Sequence, residues 1–429
     1  MLRETRPAYM TQNCATFIYV KDNVIDQVNT VSSDYVMGLT NFQVHNSSVV
    51  VINNTFSRIT GVSMVDFSVI LSDSIDRAFI IGNKLTQIDL LGYVFSLTSS
   101  TMDHFLFDSN SISNTSKIGA YLLESYECNN IIIENMLAQN VQSEADFISM
   151  TCTFISIRIK LKNSTVENIV QESNQGVRQA ANFIFVSTQS ISSSKIESVN
   201  FQENVFRNIT LTREGGYTMS TIGTSFILLY LPQSLAKIQN NTLNGITLPD
   251  GTIMTVSAPN LNIDSSTFTH LLFGDAKDAL NLIIKNLTLS SSIFANCQSL
   301  NLIGAGLVKL TTPFSVLGSS ANVNITNSTF VDNTAPTGAL IYVSKSTIQF
   351  LLKDSFIVNN LPSNNQGQIY FVNVSGSEIN ATNSTFISNQ TSQTASNYIL
   401  FIESSSQTLM AIDNCSYMVA GTNSSKVRI

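Results

Sequence analysis

Hydrophobic and polar residues alternate along most of this chain with a period of two. Ile155, Ile157, Ile159 and Leu161 alternate with Ser156, Arg158, Lys160 and Lys162, and Ile348, Phe350 and Leu352 with Gln349, Leu351 and Lys353. Because successive side chains of a strand point to opposite faces, each run predicts a β-strand with one face buried. A second set of segments is apolar nearly throughout, strand-length and bounded by turn residues: YVMGL, GYVFSL, DFISM, NFIFVS, SFILLYL, GALIYV and NYILFI among them. Pro232, Pro249, Pro259, Pro313, Pro336 and Pro362 fall in connections and Pro7 near the start, so no proline interrupts an expected strand.

These strands recur in phrases. TNSTFVDN at 326–333 returns as TNSTFISN at 382–389. Anchored on the apolar residue after a short polar pair, further copies centre on Ile25, Phe56, Leu85, Ile112, Leu137, Val166, Phe206, Leu243, Phe268, Phe294, Phe330, Phe356, Phe386 and Tyr417, spaced 25 to 40 residues apart. Two residues before the anchor stands Asn in seven copies, Ser in five, Asp354 in one and Cys415 in one. A propeller blade needs a longer period and Asn-Gly or Asp-Gly hairpins, and a leucine-rich repeat its own Leu and Asn spacing. A parallel β-helix fits, because each coil places like residues above like at about 4.8 Å. The expected fold is all-β: a single-stranded parallel β-helix (solenoid) of about 14 coils over residues 16–420. Residues 1–15 would form a cap or linker and 421–429 a tail. The small residue before each anchor then occupies a tight corner, where Asn54, Asn83, Asn110, Asn135, Asn204 and Asn241 would exchange hydrogen bonds coil to coil.

Of the 429 residues, 43% are hydrophobic and 12% charged, which gives apolar surface for a core and too little charge for a disordered chain. A net charge of -7 without a basic run leaves no electrostatic footprint for nucleic acid. There is no apolar stretch of signal-peptide length at the start and no run of eighteen apolar residues, so no membrane insertion by this segment is expected. FILLYL at 226–231 is short and closed by Pro232, as a buried strand would be. Five widely spaced cysteines without a CxxC pair make neither a disulfide scaffold nor a zinc site.

Phe107–Asn110, Phe201–Asn204, Phe330–Asn333, Phe356–Asn359 and Phe386–Asn389 spell FxxN, and GALI at 338, GAYL at 119 and GQIY at 367 are variants of a glycine-led partner phrase lacking its second glycine. The chain thereby resembles the polymorphic outer-membrane-protein repeats (FxxN and GGA[IL]) of bacterial adhesins, most clearly over 300 to 400. That resemblance implies a right-handed parallel β-helix of the pectin-lyase-like superfamily, surface-displayed or extracellular. It also implies that the sequence is part of a longer chain.

Polysaccharide lyases and hydrolases share such a scaffold, but inverting hydrolysis needs paired carboxylates around the scissile bond. The chain has no Asp-Asp dipeptide, and His45, His104 and His270 lack flanking glycines. Arg158 and Lys160 read as a solvated strand face, and Asp103, His104 and Asp108 as one charged connection. GAG at 304–306 has no Lys-Ser/Thr after it and is no phosphate loop. No catalytic residue, metal site or cofactor is expected.

Two outward features remain. Tyr342, Tyr370 and Tyr398, separated by 28 and 28 residues, would form a stripe between inward Ile341, Val343, Ile369, Phe371, Ile399 and Phe401. It would either bind a glycan or a surface protein, or only stack upon itself. Fifteen Asn-x-Ser/Thr sequons, Asn46, Asn163, Asn327, Asn383 and Asn389 among them, suit an extracellular glycoprotein. The expected function is a non-enzymatic extracellular or cell-surface structural and adhesive module. The alternatives are a polysaccharide-active enzyme on the same scaffold and a spacer in a larger membrane-anchored protein.

Overall fold

The computed structural model describes residues 17–29, 35–38, 47–61, 63–68, 75–119, 122–144, 146–152, 158–173, 182–188, 198–213, 224–231, 235–249, 251–274, 279–299, 307–311, 321–335, 341–344, 347–362, 369–374, 377–388, 400–404 and 408–419. Among them every strand pairing given is parallel and none of the elements is a helix. The chain is a parallel β-solenoid of stacked coils. It forms two compact units, Met1–Ile222 with Tyr230–Ser234, and Gly223–Leu229 with Leu235–Ile429.

A coil of the first unit has three walls, as in Ser47–Ile52, Thr55–Gly61 and Ser63–Ser68. Each wall pairs with its equivalent one coil on, so like positions form columns. On the first wall Val49, Ala78, Phe105, Ile131, Ile159 and Val199 align and are buried. On the second, Phe56, Leu85, Ile112, Ala138, Val166 and Phe206 do the same. Each large side chain so buried contributes roughly 1.5–3 kcal/mol.

The second unit repeats the plan. Leu261, Leu287, Val323, Phe350 and Ile379 form the inward column of its first wall, and Val256, Leu282, Leu310, Val343 and Phe371 that of its third. Second-wall rings lie flat on one another: Phe268 on Phe294 at 4.5 Å, Phe294 on Phe330 at 5.1 Å and Phe386 on Tyr417 at 5.3 Å. Near-parallel rings this close are imposed by coil spacing, since free aromatic pairs prefer offset or edge-on contact.

Several expectations are corrected. The solenoid has about nine turns, fewer than the fourteen coils expected. The anchors count recurrences of one second-wall phrase, which does not by itself define a full turn. Leu137 and Phe356 are not inward anchors: they are 36% and 52% exposed and pair with Thr165 and Thr329, while Ala138 and Ile357 fill the column. In both copies an apolar residue occupies the outward position just before the inward one, which shifts the apparent register by one. Pro259 lies inside the strand Gly251–Asp264, at the passage from third wall to first, and Pro362 within the short strand Leu361–Pro362. Ile155 and Ile157 fall outside the described residues.

Candidate functional site

The corner between first and second wall is built from two residues. The first has positive φ, as at Asn53 (55°), Ser109 (54°), Asn163 (49°), Asn327 (47°) and Asn383 (48°). Among the described residues, thirteen of the twenty-four with positive φ other than glycine are asparagine, the side chain that best tolerates this left-handed conformation. Where glycine takes the corner, at Gly82 with φ 64°, an added Cβ would stand 2.5 Å from the Asn53 carboxamide oxygen.

The second corner residue turns inward. The backbone N–H and Nδ2 of Asn54 both donate to Asn83 Oδ1 at 3.0 Å, while its Nδ2 also donates back to Val20 O at 3.0 Å. Asn83 repeats this with Asn110 Oδ1 at 3.0 and 2.9 Å and Val51 O at 2.9 Å. Asn110 Nδ2 donates to Ile80 O at 2.7 Å. Asn204 Oδ1 accepts the Ser164 N–H at 3.1 Å, and its Nδ2 donates to Leu161 O at 2.9 Å. In the second unit the Asn241 N–H donates to Ser266 Oγ at 3.2 Å, and serines then continue the column: Ser266 N–H to Ser292 Oγ, Ser292 to Ser328, Ser328 to Ser355 and Ser355 to Ser384, at 3.2 to 3.3 Å. These groups are buried, so each bond satisfies a donor that would otherwise cost about 1–3 kcal/mol.

Asn135 does not stand in this column. It is the exposed positive-φ residue of its corner, with Met136 behind it, and its Nδ2 donates to Asp108 Oδ1 at 2.8 Å while its Oδ1 accepts from Asn163 Nδ2 at 2.6 Å. The shift follows from the misplaced anchor at Leu137, and Asp354 is displaced likewise by Phe356, with Ser355 as the inward residue.

A second amide ladder lies at a corner within the second wall. The Cys297 N–H donates to Asn333 Oδ1 at 3.0 Å, and Asn333 donates to Asn360 Oδ1 through N–H at 3.2 Å and Nδ2 at 2.8 Å. The FxxN phrase was its signal, but one tetrapeptide serves two corners. Asn110 and Asn204 end it at the first corner and Asn333 at the second, while Asn359 has φ 52° and leaves Asn360 to enter the ladder. Asn389 lies outside the described residues.

On the third wall Lys309 pairs with Tyr342, Tyr342 with Tyr370, and Tyr370 with Phe401. Tyr398 and Ile399 lie outside the described residues, and the register gives the third place of the expected stripe to Phe401, whose neighbour Ile402 aligns with inward Phe371. Equal sequence spacing misleads here because that coil is three residues longer between aligned positions. Tyr342 is half-buried. Asn163, Asn327 and Asn383 are exposed, whereas Asn46 lies outside the described residues.

The charged groups weighed for catalysis are held in structural contacts. His104 packs on Phe79 at 5.8 Å with its Nδ1 2.8 Å from Asn130 Nδ2, and burial, then Arg77, lowers its pKa. Asp103 accepts from Asn129 Nδ2 at 3.0 Å, and Asp108 from Ser109 Oγ at 2.8 Å. Lys160 lies on the first wall beside Ile132 of the preceding coil, and His270 is a positive-φ corner residue with Nδ1 3.2 Å from Asn244 Oδ1. His45 and residues 304–306 lie outside the described residues. Among the described residues no three His, Cys, Asp or Glu side chains gather as metal ligands.

Two outer faces escaped the sequence reading. In the first unit Tyr19, Val50, Phe79, Leu106 and Ile132 align outward on the first wall before Lys160 begins the polar part. Their signal was VVVI, AFII, HFLF and NIII, apolar in both phases where RIKLK alternates. In the second unit the outward column two residues earlier on the first wall, in the place of Ser48, Arg77 and His104, is amide: Asn286 Nδ2 donates to Asn260 Oδ1 at 2.7 Å and Asn322 Nδ2 to Asn286 Oδ1 at 2.9 Å. No family model, no curated protein and no solved structure matches this chain.

Proposed function

We propose that the protein is a non-enzymatic structural and adhesive module of the extracellular space or cell surface, which holds a glycan or a surface protein against its outer columns. The observation that carries this reading is the aligned amide column Asn260, Asn286 and Asn322, extended on the same wall by Ser290 Oγ donating to Asp264 Oδ1 at 2.6 Å. Such a face offers the same donors and acceptors at intervals of about 4.8 Å, which suits a ligand that itself repeats. Lys309 and Tyr342 on the third wall add a cation and an aromatic edge of the kind that packs on sugar rings. Exposed sequons at Asn163, Asn327 and Asn383 support an exported glycoprotein, and the FxxN phrases support a right-handed, pectin-lyase-like adhesin repeat.

A glycan array run beside a reducing-end assay tests the proposal. Binding without release of reducing ends is expected, weakened at least tenfold when Asn286→Ala and Asn322→Ala are combined with Tyr342→Ser and Tyr370→Ser, with unchanged circular dichroism. Release of reducing ends would replace this reading with the polysaccharide-active enzyme.

A further inference from the structure

One dipeptide joins reactive chemistry to a prepared setting. Asn244–Gly245 is the only Asn-Gly sequence in the 429 residues, and it lies inside the second-wall strand Thr242–Leu248. In such a pair the backbone nitrogen after the asparagine can close on the side-chain carbonyl carbon as a five-membered ring. Glycine has no side chain to hinder that approach.

The strand is interrupted at this point. Asn244 pairs with Thr269 and pairing resumes at Thr247 with Leu272, so Gly245 and Ile246 fall between two paired stretches. Gly245 takes φ 67° there. Leu243 and Ile246 are buried and pin the strand, while Asn244 and Gly245 are half-buried.

The Asn244 side chain is held by the next coil. Its Oδ1 accepts from Thr269 Oγ1 at 3.2 Å, and His270 Nδ1 stands 3.2 Å from the same oxygen. An amide oxygen only accepts, so the ring meets it in a form that carries a proton on Nδ1. Two donors on one amide oxygen draw electron density from Cγ and stabilise the oxyanion that forms when a nucleophile adds there. The exposed asparagines Asn168 and Asn208, linked Nδ2 to Oδ1 at 3.2 Å, lack this combination, since each precedes an isoleucine.

We propose that Asn244 is a site of spontaneous deamidation assisted by the fold. The Gly245 nitrogen adds to Asn244 Cγ while Thr269 and His270 hold the oxyanion. The Cγ–Nδ2 bond then breaks, and Nδ2 leaves as ammonia with the proton lost from the Gly245 nitrogen. Water opens the resulting succinimide at either carbonyl, giving aspartate or isoaspartate. Only the chain's own atoms and water take part. Aspartate sets a carboxylate beside His270, whereas isoaspartate routes the main chain through Cβ and Cγ and lengthens the second wall between its two paired stretches. This inference does not depend on the adhesive reading.

Peptide mapping by mass spectrometry tests it, on the full chain kept for several weeks at neutral pH in heavy-oxygen water. Asn244 should convert to a mixture of aspartate and isoaspartate, each carrying one heavy oxygen. The folded chain should convert at least as fast as the same chain in urea, where the dipeptide is present but its two donors are not in place. Thr269→Val and His270→Gly should each slow the folded chain several-fold and leave the rate in urea unchanged. Valine suits the strand and glycine the φ of 52° at His270, and circular dichroism checks that both variants fold. Slower conversion in the folded parent than in urea, or folded variants that convert like the parent, would overturn the proposal.

Discussion

At the scale of single residues, the fold rests on side chains that accept an unusual backbone and satisfy buried donors. Asn83 receives three hydrogen bonds, two on its Oδ1 and one on its carbonyl from the Ser111 N–H, and gives three. Asn83→Ala strands the Asn54 N–H and the Val51 carbonyl, and should cost about 2–4 kcal/mol in urea unfolding. Asn135→Ala, on the exposed column, should cost less than about 1 kcal/mol. Asp26 shows the surface version of such contacts: hydrogen bonds from Arg58 and Ser57 hold its carboxyl at about 2, so the stability linked to it is present above the ordinary Asp range and lost only as pH falls toward 2. His104 titrates nearer neutrality. Burial against Phe79, then Arg77, lowers its pKa below 6.5, so the folded chain binds fewer protons there than the unfolded one. Stability should therefore fall as pH drops below 6.5, and His104→Gln should flatten that part of the profile, read as urea midpoints between pH 7 and 4.

At the scale of elements, register is the decisive quantity, because a slip of one residue exchanges the two faces of a strand. Ile357→Ala should cost about 2–4 kcal/mol, and Phe356→Ala, one residue away and larger, less than about 1 kcal/mol. Equal losses in urea unfolding would refute the assigned register. The same pair marks the limit of the sequence. Period-two runs and the recurring corner phrase were enough for a parallel β-solenoid and for amide exchange at Asn54, Asn83, Asn110, Asn204 and Asn241. They failed at Leu137 and Phe356, where an apolar residue also occupies the outer face, and only pairing with Thr165 and Thr329 resolves the ambiguity. The place next to Tyr370 was hidden for a related reason: it pairs with Phe401, because stripes follow strand pairing and a longer connection breaks the link between spacing and alignment. The second ladder, Asn333 with Asn360, was hidden because its FxxN phrase looks the same as that of the first corner.

At the scale of the whole molecule, each coil touches only its neighbours, so stability is a sum of coil terms and nearest-neighbour terms. Damage should stay local. Leu289→Ala removes a buried side chain flanked by Ile263 and Ile325 on adjacent coils. Hydrogen exchange should accelerate across Gly251–Asp264, Leu280–Ser290 and Ala321–Thr326, while Asn130–Glu134 in the first unit keeps its protection. Uniform acceleration over both units would show a cooperativity that nearest-neighbour stacking does not provide.

Cys297 occupies the second corner one coil before Asn333, where burial pushes its thiol up to about 12. In that state it is protonated and out of reach of an alkylating reagent. Its modification by iodoacetamide at neutral pH, followed at this one site by mass spectrometry, would then keep time with the opening of the surrounding coils: an intrinsic clock for the breathing of the second unit.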